Sequence, residues 1–225
     1  MGPIRCMIVI SLAYTVLGTK YSKVPTAFKA YNLTPDVIPT APENFLNVYY
    51  PTAEVCLGDV ISQTQTLVKP KIGFNFKPGV NYTIIIIARL TRHDPLVLPD
   101  PDVPSAQAPV LRSYLNWMQV DACASTPGLL AGTTIADYMT INPYPGSGYH
   151  RGTVLCYEQT RPLDLGAIAR KRLAVRRYRF DVVAFATTYG LTLVGGNFFR
   201  VAVPAVYDEY YCNNCPTCLT DVYVK

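Results

Sequence analysis

Four consecutive isoleucines, Ile84 to Ile87, close an apolar run that opens at Val80 behind a Pro78-Gly79 turn signal. A run with no polar face and a β-branched residue at each of its last four positions predicts a central strand covered on both sides. Such a strand needs partners and two layers of cover. The chain has 225 residues, half of them hydrophobic, which is enough for a core without staples.

The partners are read by alternation. Leu46, Val48 and Tyr50 face one way, and Ile72 to Phe76 alternates again. Thr64, Thr66 and Val68 predict another short strand. So do Leu115–Val120, Thr153–Tyr157, Leu191–Val194 and Asn197–Val203. Cys56 to Asp59 reads as a turn. Residues 88–105, 129–137 and 142–148 read as loops, the second with a strand-like edge. One helix stands out: Asp181 caps it, Val182, Phe185 and Tyr189 share a face, and Gly190 ends it. The basic cluster Arg170-Lys171-Arg172, Arg176-Arg177 and Arg179 reads as a solvated loop ahead of that helix. The predicted class is mainly β: a large central antiparallel sheet, a smaller sheet and few peripheral helices.

The first residues read as an address. Arg5 precedes an uncharged apolar run from Cys6 to Gly18 that is too short to span a bilayer, so residues 1–18 are expected to be a signal peptide. Residues 19–44 are expected as an irregular N-terminal arm, 45–211 as the folded domain and 212–225 as a Cys-rich tail. Loss of Arg5 takes the net charge from +5 to +4. Without Cys6, Cys56, Cys123, Cys156, Cys212, Cys215 and Cys218 remain, an even set suited to disulfides in a secreted, extracellular chain. The spacing leaves their connectivity open. Asn32 and Asn81 open glycosylation sequons. The Cys212, Cys215 and Cys218 spacing lacks a nearby fourth zinc ligand, so no metal is expected. With that modest charge and no recognition motif, nucleic acid is not an expected partner.

Two segments carry chemistry. One is Asp100-Pro101-Asp102-Val103-Pro104-Ser105; the other is Pro145-Gly146-Ser147-Gly148-Tyr149-His150-Arg151, leading to Tyr157-Glu158-Gln159. Prolines stiffen the first, while glycines in the second let backbone N–H groups approach an anion. His150 can donate a hydrogen bond, with Arg151 expected as a structural ion-pair residue. In this order the segments resemble the phosphatidylethanolamine-binding protein family, whose marks are a DPDxPS loop and a GxxHR loop before a YEQ strand end.

The resemblance implies that both loops converge on a small anion pocket. Its residues here would be Asp100, Pro101, Pro104, Tyr114, Asn116, Pro145, Gly146, Gly148, His150 and Tyr210. Asp100 would brace His150 and favour its charged form near neutral pH. The implied ligand is a phospholipid headgroup or similar small anion, with no cofactor. The second implied role is a protein-interaction module such as a protease inhibitor. The basic cluster adds a candidate peripheral membrane contact.

Departures are specific. Tyr114, Leu115 and Asn116 stand where the family carries Trp and paired His, so the second pocket His is an amide donor. Gly152 replaces a Tyr and is expected to open the rim. Residues 88–99 are an insertion, and His93 within it is expected to be surface decoration. Ser105 and Ser147 lie in no nucleophile motif, so no catalytic residue is assigned.

Overall fold

The computed structural model describes residues 23–90, 113–126, 129–143 and 149–201. Its strands are β1 (Asn44–Phe45), β2 (Asn47–Tyr50), β3 (Ala53–Val55), β4 (Asp59–Val60), β5 (Lys71–Gly73), β6 (Asn81–Leu90), β7 (Tyr114–Thr126), β8 (Leu129–Ala136), β9 (His150–Gln159) and β10 (Thr192–Val201). The helices are α1 (Val24–Ala30), α2 (Ala167–Val175) and α3 (Val182–Tyr189).

Seven strands form the large sheet in the order β1-β10-β9-β6-β7-β8, with β4 also on β10; β3-β2-β5 form the small one. The interior pairs are antiparallel, as expected, but β1 and β4 join β10 in parallel. The isoleucine run is the central strand β6, flanked by β7 and β9. Ile84 and Ile86 enter one core with Trp117, Val154 and Phe199 beneath the small sheet. Ile85 and Ile87 enter the other, with Phe28, Leu155 and Phe185. The period of two thus sends consecutive identical side chains to opposite layers.

Asn197 ties the sheets together. Fully buried, its Nδ2 donates to the carbonyls of Leu46 (2.8 Å) and Val55 (2.9 Å), and its Oδ1 accepts from the Leu57 N–H (3.0 Å). Helix α3 forms as expected: the Asp181 carboxylate accepts from the Ala184 N–H at 2.9 Å, and Gly190 ends it at φ 61°.

Several local expectations change. Residue 88 does not open a loop, because β6 runs on through Leu90, paired with β9 as far as His150. The arm at 19–44 holds helix α1, and Val24, Phe28 and Leu33 are fully buried. Thr64–Val68 is no strand: Ser62 and Gln65 form a capping box that winds Gln63–Thr66 into a 3-10 turn. Residues 129–136 form a full edge strand, β8, whose small and threonine residues carry little apolar alternation. The basic cluster lies partly in helix α2, where Ala, Leu, Lys and Arg all favour helix. The two C-terminal strands are one, β10, with an irregularity between Leu193 and Gly195.

Candidate functional site

Leu90, His150 and Val201 are Cα partners in one row across β6, β9 and β10. Leu90 is the last residue of β6, His150 the first of β9 and Val201 the last of β10. The chain therefore leaves for 91–112, returns from 144–148 and leaves for 202–225 at one end of the large sheet. Asp100, Pro101, Pro104, Pro145, Gly146, Gly148 and Tyr210 sit on those segments and lie outside the described residues. So do His93, Ser105, Ser147, Cys212, Cys215, Cys218 and the expected signal peptide. Strand β7 starts beside the same end, with Tyr114 opposite Ala88 and Ala88 opposite Gly152.

Strand alternation turns His150 and Arg151 to opposite faces. Arg151, 2% exposed, donates through Nη1 to the carbonyls of Tyr31 (2.7 Å) and Asn32 (3.0 Å), and through Nη2 to Asp36 (2.9 Å). It is the structural ion-pair residue expected. Its partners in the row are Arg89 and Arg200. Asp36 also reaches Arg89 at 3.6 Å, and Arg200 lies over the rings of Tyr31 and Tyr149. Three guanidiniums thus cross adjacent strands behind His150.

His150 itself is not the expected cation. Burial pushes its pKa down to about 4, so the imidazole is neutral at neutral pH. Asn116 also differs from expectation. Its Nδ2 is committed to the carbonyls of Met139 (3.0 Å) and Thr140 (3.3 Å), while its buried Oδ1 accepts no hydrogen bond among the described residues. The amide therefore offers an acceptor, not a donor. Tyr114 donates to the Met139 sulfur at 3.2 Å and packs edge-on against Tyr178. Gly152 does not open a rim. A Cβ there would fall 2.5 Å from Ile141 Cδ1 and 2.5 Å from Phe199 Cζ, both buried side chains.

On the Arg151 side of the sheet, Asp36, Arg89, Ser113, Arg179 and Asp181 line a cleft of about 500 Å3. Asp36, Arg89, Arg200 and Ile141 were not singled out from the sequence. Asp36 lies 115 residues from Arg151, and nothing local connects them.

Of the expected sequons, Asn32 is exposed and Asn81 half-buried at the start of β6. Cys56, Cys123 and Cys156 form no disulfide. Among the described residues no cluster of His, Cys, Asp or Glu could hold a metal ion, and no helix is long and apolar enough to cross a membrane.

Comparison with known proteins fits this geometry. No family profile matches the chain. It is 27% identical over 190 residues to "Putative odorant-binding protein A5" of Drosophila melanogaster, covering 81% of this chain and 80% of that protein. Among solved structures it resembles a carboxypeptidase Y inhibitor complexed with its cognate proteinase, at TM-score 0.61 and 20% identity, over 81% of this chain and 96% of the inhibitor. It also resembles the phosphatidylethanolamine-binding protein of Plasmodium vivax, at TM-score 0.57 and 20% identity, over 80% and 97% of the two chains. The fold is that of phosphatidylethanolamine-binding proteins.

Proposed function

We propose that this chain, built on the phosphatidylethanolamine-binding protein fold, is an exported binding module rather than an enzyme, and that it receives a phospholipid headgroup or similar phosphate-bearing ligand at the His150 end of the large sheet. The observation that carries this reading is the Leu90–His150–Val201 row. It tethers the segments bearing Asp100, Pro101 and Pro104, then Pro145, Gly146 and Gly148, then Tyr210, to adjacent strand ends.

Electrostatics refine the ligand. His150 acts as a neutral donor, and the positive field comes from Arg89, Arg151 and Arg200 behind it, tempered by Asp36. The unmet acceptor of Asn116 suits a ligand that also carries a donor. A zwitterionic phosphoethanolamine meets both conditions; inorganic phosphate meets one. A second reading, a protein-interaction module such as a protease inhibitor, draws support from the likeness to the inhibitor in its proteinase complex.

The test is a thermal melt of purified protein titrated with phosphoethanolamine into the millimolar range. A ligand at about a hundred times its Kd adds roughly 2.7 kcal/mol, a rise easily read. The rise should vanish in His150→Ala and be smaller with inorganic phosphate. A flat titration in wild type rejects the headgroup reading and leaves the protein-interaction one, to be tested by inhibition of a carboxypeptidase. Mass spectrometry of exported material checks cleavage after Gly18, glycans at Asn32 and Asn81, and cysteine pairing.

A further inference from the structure

Residues 165–180 hold Arg170, Lys171, Arg172, Arg176, Arg177 and Arg179 and no acid. That is +6 within a chain of net charge +5, so all the rest sums to −1. Helix α2 occupies the middle of this stretch, and none of its nine residues is buried. Ile168 is 81% exposed and Val175 71%. Ile168, Lys171, Arg172, Val175 and Arg176 fall at i, i+3, i+4, i+7 and i+8, and they line one shallow depression of about 290 Å3. Beside it, Ile168 and Arg172 border an apolar groove of about 660 Å3 formed with Leu173, Phe185 and Tyr189.

Not every cation here is available. Arg177 is 7% exposed, and its guanidinium donates to the carbonyls of Ala174 (3.1 Å) and Asp137 (2.6 Å), which anchors the end of α2 against β8. Arg170 donates back to the Leu165 carbonyl at 2.8 Å. Arg179 borders the cleft with Asp36 and Arg89. Lys171, Arg172 and Arg176 remain to face outward with Ile168 and Val175.

We propose that this α2 face docks on an anionic lipid surface. Ile168 and Val175 enter the boundary between headgroups and acyl chains, while Lys171, Arg172 and Arg176 meet the lipid phosphates and carboxylates. The pairing of charge with exposed aliphatics selects this occupant. A glycan or nucleic acid would satisfy the cations and leave Ile168 and Val175 in water, whereas a bilayer interface accepts both. Arg177 joins the end of α2 to the Asn116 carbonyl at 3.3 Å, but Ile168, Lys171, Arg172, Val175 and Arg176 are not among the residues placed at the His150 end, so the two interactions can be tested by separate substitutions.

The experiment is flotation of the full chain with vesicles of phosphatidylcholine alone, or with about a third phosphatidylserine, at low and physiological salt. Binding should require phosphatidylserine and weaken with salt. The triple substitution Lys171→Ala, Arg172→Ala and Arg176→Ala should weaken it about a hundredfold, at roughly fivefold per basic residue. Ile168→Asn with Val175→Asn should weaken it about tenfold or more at unchanged charge. All five residues are exposed on α2 or at its C-cap, and an unchanged melting curve establishes that each variant is folded. Three results overturn the proposal: equal binding to both vesicles, binding that neither variant reduces, or displacement from vesicles by soluble phosphoethanolamine. Retention on heparin without vesicle binding overturns it as well.

Discussion

The carboxylate of Asp36 accepts a hydrogen bond from Arg151 Nη2 at 2.9 Å across 115 residues of chain. It closes the N-terminal arm over the sheet, because the same guanidinium also holds the carbonyls of Tyr31 and Asn32. Arg89 shares the carboxylate at 3.6 Å. One acid thus steadies two neighbouring guanidiniums that would otherwise repel each other along the row.

Removing that acid leaves buried positive charge without its counterion. Asp36→Ala should destabilise the protein by about 3 kcal/mol, in the range for breaking a buried pair from one side. Chemical denaturation reads the loss. Limited proteolysis should also cut ahead of β1 sooner in the variant. Unchanged stability and digestion would show that the arm is held by its apolar side chains alone.

His150 makes stability sensitive to acid. Its folded pKa is about 4 against an ordinary 6.5. Between those values the unfolded chain takes up a proton that the folded chain does not, so stability falls as pH drops from about 6.5 towards 4. The full effect is about 3 kcal/mol for a shift of this size. Urea midpoints of wild type and His150→Gln should diverge across that window, wild type losing more. Parallel curves would mean that the imidazole is not desolvated.

Gly152 is held by space. Gly152→Ala sets a Cβ against Ile141 Cδ1 and Phe199 Cζ and should cost about 2 kcal/mol. Ile141→Val removes the Cδ1 atom. In a double-mutant cycle it should recover about 1 kcal/mol, and purely additive effects would place the crowding elsewhere.

Asn197 joins the sheets through backbone groups, so Asn197→Ala strands the carbonyls of Leu46 and Val55 and the Leu57 N–H. A loss of about 3 kcal/mol is expected from urea unfolding. Hydrogen exchange should rise in β2 and β3 ahead of β6. Uniform exchange would assign Asn197 no special part in holding the small sheet.

Much of the architecture was readable residue by residue. The isoleucine run marked β6 because it has no polar side to give to water. Asp181 and Gly190 bracketed α3 because cap and αL positions restrict residue type. The loop motifs before His150 and around Asp100 led to the fold. Elements with weak or misleading local signals depart from expectation: β8 is a small-residue edge strand, and in α2 the run of cations masks a good helix propensity. The 3-10 turn at Gln63 carried its own Ser-x-x-Gln signal, overruled by an apparent alternation.

The candidate site divides in the same way. His150 and Asn116 were named from the sequence, yet their chemistry came out differently. His150 is held towards the neutral form because desolvation at the half-buried start of β9 penalises charge. Asn116 shows an acceptor because Met139 and Thr140 already take its N–H groups.

By itself, then, the order of residues determined that the isoleucine run is a central strand, where the main helix starts and stops, and which motif precedes β9; each follows from side-chain shape and short-range periodicity. Only the tertiary structure decided the charge state of His150, the side of Asn116 left unmet, the filling of the space at Gly152 and the union of Asp36 with Arg151. Those depend on burial and on partners far apart along the chain, and neither quantity exists until the sheets have closed.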